Sequence, residues 1–168
     1  MQDARAELLA CIPRLRRYAR ALVGGHMGAD DLVQDTIERG LVKLPMRPFN
    51  GNMRAWLFSI MHNLHIDQIR KMRLPTEVLD DDSSELSVAA AQTHGLEMRD
   101  LESSLRLLPT GQREVLLLVA LEEMSYDEVA ATLQIPLGTV MSRLSRAREK
   151  MRALMDGRTV VSPLKVVK

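Results

Sequence analysis

Between Ser142 and Arg152 the chain carries five cations, Arg143, Arg146, Arg148, Lys150 and Arg152, against one acid, Glu149, a local charge of +4. That density suits the phosphate backbone of a nucleic acid, and an arginine can also read a guanine edge through two parallel hydrogen bonds. Val140, Leu144, Ala147 and Met151 recur at i, i+4, i+7 and i+11, so one stripe of this segment is a buried helix face. The opposite side presents Met141, Ser142, Ser145, Arg146 and Glu149, with the other cations along its flanks.

The elements before it hold this helix in place. Ser125 and Glu128 have capping-box spacing and start a short helix whose apolar face is Val129, Ala130 and Leu133. Pro136 and Gly138 then break the pattern, and a second helix runs from about Thr139. Two short helices joined by a tight turn, with the second one basic, form a helix-turn-helix whose second helix enters a DNA major groove. The plainer alternative is a solvated basic face on a structural helix. The agreement of cap, turn and stripe favours DNA.

A second constellation is acidic. Asp30, Asp31, Gln34, Asp35 and Glu38 lie along one side of a helix that Asp30 is expected to cap. Asp30 and Asp31 can be explained as complements to a helix N-terminus, but Gln34, Asp35 and Glu38 lie too far along for that and call for a partner. His62 and His65, at i and i+3, could share a metal, yet no cysteine or carboxylate cluster completes such a site. No cofactor is expected. Without a nucleophile–base pair, a phosphate loop or paired carboxylates, the chain is not expected to be an enzyme.

The 168 residues hold 23 basic and 22 acidic side chains, a balance that hides strong patterning. Residues 1–74 carry 12 basic and 7 acidic groups, residues 75–94 carry none and 5, and residues 95–168 carry 11 and 10. Two segments with basic surfaces therefore flank an acidic connector. The lone Cys11 excludes an internal disulfide and fits a reducing cytosol. The absence of a signal peptide or a long apolar run predicts a cytoplasmic protein without membrane insertion. Aromatics are only 3% of the chain, which argues against base stacking on many rings.

Nearly every segment reads as helix: Asp3 to Cys11, Pro13 to Val23, Asp30 to about Leu44, Asn52 to about Met72, Leu96 to Leu108, and Gln112 onward into the helix-turn-helix. No alternating strand pattern of useful length occurs. The expected fold is all-α, with two small helical domains, residues 1–74 and 95–156, joined by a flexible acidic linker over 75–94 and followed by a flexible tail over 157–168. The linker acids are also expected to mask basic surfaces in the free chain.

Three stretches in this order, ADDLVQDTIERGL (29–41), NMRAWLFSIMHNLHIDQIRK (52–71) and LPTGQREVLLLVALEEMSYDEVAATLQIPLGTVMSRLSRAREKMR (108–152), resemble bacterial RNA polymerase sigma factors. The likeness is to the small extracytoplasmic-function group, which keeps only regions 2 and 4. The NMRAWLF segment resembles the general-stress branch of that group. The resemblance implies a transcription initiation factor that binds core RNA polymerase through its clamp helices and flap. It would direct the enzyme to promoter DNA at the minus-10 and minus-35 elements, under control of an anti-sigma factor.

Carried over position by position, the resemblance gives polymerase binding to Asp31, Gln34, Asp35 and Glu38. Minus-10 contact falls to Phe49, Asn50, Asn52, Arg54, Asn63, Arg70 and Lys71. Minus-35 contact falls to Thr139, Met141, Ser142, Arg143, Ser145, Arg146 and Arg148. Arg146 is the candidate for guanine reading. Met141 departs from the family pattern, which often has Lys or Arg there, and can offer only apolar contact, for example to a thymine methyl. Trp56 can stack on a base or pack in the core, and the helical spacing of Trp56, Ile60 and Leu64 favours the core. Two rival readings stay open: a helix-turn-helix regulator acting without polymerase, and a sigma mimic that only titrates an anti-sigma factor.

Overall fold

The computed structural model describes residues 2–47, 51–72 and 97–156, all-α with no strand among them. Helix α1 is Gln2–Ala10, α2 Ile12–Val23, α3 His26–Lys43 and α4 Met53–Met72, with a 3-10 turn at Leu44–Met46. The second set is α5 Glu97–Arg106, α6 Thr110–Ala120, α7 Tyr126–Leu133 and α8 Leu137–Met155. The linker assigned to 75–94, the tail assigned to 157–168, and Phe49 and Asn50 lie outside the described residues.

Helices α1 to α4 pack around Leu8, Leu15, Leu22, Leu32, Leu57, Phe58 and Met61, all essentially without solvent contact. Tyr18 meets Phe58 edge to face at 4.9 Å between ring centroids, a favoured arrangement of aromatic quadrupoles. Pro13 falls in the first turn of α2, where its missing N–H costs nothing, and Gly24 ends that helix in a left-handed conformation at φ 74°. Trp56 is half-buried against the core, with the Arg47 guanidinium 5.9 Å from its ring centroid. Its position bears out packing rather than an open stacking platform.

One cap is corrected. Helix α3 starts at His26 behind an extended Gly25, not at Asp30. Ala29 is fully buried, so the helix must begin a turn earlier to bring it to the core. Asn52 does cap α4: its side-chain oxygen accepts the Arg54 backbone N–H at 3.0 Å.

In the second set, Leu118, Val129, Val140, Leu144 and Ala147 are buried together. The capping box at the start of α7 is complete, with the Glu128 N–H donating to the Ser125 hydroxyl and the Glu128 carboxylate accepting the Ser125 N–H. The turn differs in detail from expectation. Gln134 takes the left-handed position at φ 54°, Pro136 precedes the first turn of α8, and Gly138 lies inside that helix. Proline pre-sets the φ that a helix start needs, which moves the start ahead of Thr139.

The two sets of helices also pack on each other, α2 against α5 and α6, and α4 against α7. Among the described residues no helix is long and apolar enough to cross a membrane.

Candidate nucleic-acid interface

Helix α8 buries Val140, Leu144 and Ala147 and turns Met141, Ser142, Ser145, Arg146 and Arg148 outward. Leu137 and Met141 are 43% and 53% exposed, an unusual apolar pair on a face otherwise polar. A shallow groove beside them is lined by Tyr126, Ser145, Arg148, Glu149 and Arg152. Thr139 is half-buried, and its carbonyl accepts the Ser142 hydroxyl at 3.2 Å. Arg143 leaves the outward face: its guanidinium lies so close over Gly111 that an added Cβ would come within 2.8 Å of a terminal nitrogen. A side chain at position 111 would make the arginine tip shift.

The acids of α3 form an open surface. Asp31, Gln34, Asp35 and Glu38 are all exposed, while Leu32, Val33 and Thr36 on the other side are buried. Arg16 and Arg20 from α2 join Asp30, Gln34 and Glu38 along the groove between α2 and α3. Basic groups at the edge of an acidic strip give a mixed surface that a protein partner of matching pattern can fit.

On α4, Asn63, Arg70 and Lys71 are exposed. Arg54 is different. It is half-buried and donates to the carbonyl oxygen of Glu122, in the turn between α6 and α7, at 2.9 Å.

That bond belongs to a polar seam between the two sets of helices. The Glu122 carboxylate is fully buried. Arg17 reaches its Oε1 at 3.0 Å and Arg14 approaches its Oε2 at 3.6 Å. Arg17 also donates to the Leu121 carbonyl at 3.0 Å. Further along, His62 Nδ1 and Glu114 Oε1 are 2.9 Å apart, and Glu114 is only 1% exposed. Arg113 donates to the Leu22 carbonyl at 2.7 Å and, within its own set, to the carbonyls of Leu105, Arg106 and Leu108. Arg106 donates to the carbonyl of Gly24.

The pairing with Glu114 occupies His62, and among the described residues no three His, Cys, Asp or Glu side chains gather as a metal site. His65 is buried, which pushes its imidazole below the usual value. Burial raises the Cys11 thiol, with Glu7 adding to the effect and Arg14, Arg54 and Arg47 opposing it.

The sequence reading passes over Arg14, Arg17, Arg113, Glu114 and Glu122. A signal was present: Glu114 and Glu122 bracket the apolar run from Val115 to Leu121, and an acid on a buried face needs a partner. The identity of that partner, more than fifty residues away, carries no local trace.

The chain matches two family descriptions, the Sigma2 domain of PhyR over residues 8–62 and Sigma-70, region 4, over residues 98–151. It is 39% identical over 152 residues to the ECF RNA polymerase sigma factor EcfG of Rhodopseudomonas palustris, covering 90% of this chain and 84% of that one. Among solved structures it resembles the sigma factor RpoE in complex with the anti-sigma factor NepR from Bartonella quintana. That likeness has 32% identity and a TM-score of 0.75, over 93% of this chain and 98% of that one. CnrH, in complex with the cytosolic domain of CnrY, is similar at 31% identity and a TM-score of 0.65, over 95% and 92% of the two chains.

Proposed function

The chain belongs to the extracytoplasmic-function RNA polymerase sigma factors, and from that premise we propose that it is a transcription initiation factor using residues 1–74 as region 2 and 95–156 as region 4. It binds core RNA polymerase, directs it to promoters through the minus-10 and minus-35 elements, and is held in check by an anti-sigma factor. Sigma factors are not enzymes, and this one works where the polymerase is, in the cytoplasm.

The observation that carries the reading is the 39% identity, over 90% of this chain, to an ECF RNA polymerase sigma factor, with a region 2 match followed by a region 4 match. Particular residues then take particular parts. The exposed α3 strip of Asp31, Gln34, Asp35 and Glu38 grips the polymerase clamp. Asn52, Arg54, Asn63, Arg70 and Lys71, with Phe49 and Asn50, handle the minus-10 strand. Met141, Ser142, Ser145, Arg146 and Arg148 meet the minus-35 duplex, where Arg146 reads a guanine and the others contact base edges and phosphates. Arg143, drawn back over Gly111, supports the recognition helix as well as its phosphate contacts.

Run-off transcription tests the whole reading. Purified core polymerase, this protein and a pool of genomic promoter fragments are combined, and start sites are sequenced. Starts sharing a two-part upstream motif are expected. Polymerase binding without transcripts would instead support a sigma mimic, and DNA binding without polymerase binding a stand-alone regulator.

A further inference from the structure

Three arginines of region 2 converge on one residue of region 4. Arg17 takes one carboxylate oxygen of Glu122 at 3.0 Å, Arg14 approaches the other at 3.6 Å, and Arg54 takes the backbone carbonyl at 2.9 Å. Three positive charges therefore surround a single negative one. Glu122 is fully buried, yet its Oε2 has no hydrogen-bond partner. The arginines keep about half their side-chain exposure, at 50% for Arg14 and 54% for Arg17. A carboxylate that is closed in but not fully bonded, facing cations that remain open to solvent, fits that cation set poorly.

A phosphate would fit it better. Planar guanidinium forks bind phosphate as readily as carboxylate, and a phosphodiester offers exposed oxygens without having to be buried. The set is also well placed. Arg54 lies in the first turn of α4, where its backbone N–H is capped by Asn52, among the residues read as minus-10 contacts. Arg14 and Arg17 of α2 and Arg54 of α4 meet at a single residue, so the cations form one compact cluster drawn from two helices.

We infer that Arg14, Arg17 and Arg54 form a binding site for a backbone phosphate of the promoter strand, and that Glu122 occupies this site as an internal stand-in when the two regions are packed together. The inference rests on the reading of region 2 as a DNA-binding unit. It makes the seam more than a structural contact, because the anion that closes the chain competes with the strand that must open it.

The test uses the full chain and a fluorescently labelled single-stranded DNA, with affinity read by anisotropy over a salt series. E122Q keeps the shape of the side chain and removes its charge, and it is expected to bind the strand several-fold more tightly than the parent. Adding R17A to E122Q is expected to reverse that gain and to lower the slope of log affinity against log salt by about 0.7, the share of one phosphate contact on a single strand. Adding R17K to E122Q instead should keep the slope, which separates loss of charge from loss of fold. If E122Q binds no more tightly than the parent, or if E122Q/R17A binds as E122Q does with the same slope, Arg17 is only a strut and the inference is overturned. Failure of the parent in run-off transcription would strike the sigma reading, whereas a wrong result in this binding series alone would strike only the phosphate site.

Discussion

The Nδ1 of His62 in α4 lies 2.9 Å from the Oε1 of Glu114 in α6, joining two residues 52 positions apart across the seam between the regions. Its neighbour His65 lies one turn further on, almost out of solvent. Burial lowers the His65 imidazole from its ordinary 6.5; Glu114 opposes that shift, and Arg113 and His62 add to it. The unfolded chain therefore takes up a proton at His65 before the folded one does. Folding stability is complete above the unfolded value and declines as pH drops below it, levelling off once the folded value is passed. Thermal melts between about pH 7.5 and 5 should show this decline, and H65Q should flatten it. A parent and an H65Q variant with the same acid dependence would contradict this assignment.

The capping box at α7 should be measurable alone. Ser125 accepts the Glu128 N–H, so S125A leaves that donor without its side-chain acceptor at the start of the helix-turn-helix. A loss of about 1 kcal/mol is expected. Chemical denaturation would read it as a lower midpoint with an unchanged slope.

Gly24 faces two constraints. Its φ of 74° disfavours any L side chain, and a Cβ there would stand 2.7 Å from Arg106 Nε. G24A should cost about 1 kcal/mol or more, because it strains the turn after α2 and pushes away an arginine that ties α5 to that turn. R106A should remove the steric part only, so G24A in an R106A background should cost less than G24A alone. Equal costs in the two backgrounds would show that Arg106 plays no part.

In the proposed function, Arg146 and Met141 divide the minus-35 reading between them. R146A should weaken binding to a selected minus-35 duplex by about 1–3 kcal/mol and relax the preference at one base pair. M141K should bind more tightly at low salt and steepen the salt dependence by about 0.9, while losing discrimination between thymine and uracil at the position Met141 touches. Competition binding with uracil-substituted duplexes checks both.

The helix-turn-helix was legible because its determinants are local: a cap and its partner three residues apart, a proline, and a stripe at helical period. The same holds for the exposed acids of α3, whose opposite face is plainly apolar. Boundaries were less legible. Asp30 looks like a cap, yet the burial of Ala29 draws the start of α3 back to His26. Arg143 reads as one more cation in the row, and only the three-dimensional structure shows its guanidinium lying beside Gly111 of α6. The seam was hidden altogether. Arg17 and Glu122 are 105 positions apart, and nothing in either neighbourhood names the other.

Arg113 bears on how the two regions part. Three of its four carbonyl acceptors, those of Leu105, Arg106 and Leu108, belong to region 4 itself, and only that of Leu22 lies across the seam. When the regions separate, this guanidinium gives up one bond and keeps three, so the corner between α5 and α6 stays knit. If the regions part on promoter binding, as the proposed competition for Arg17 requires, Arg113 holds region 4 as a folded unit ready for the new place it takes up.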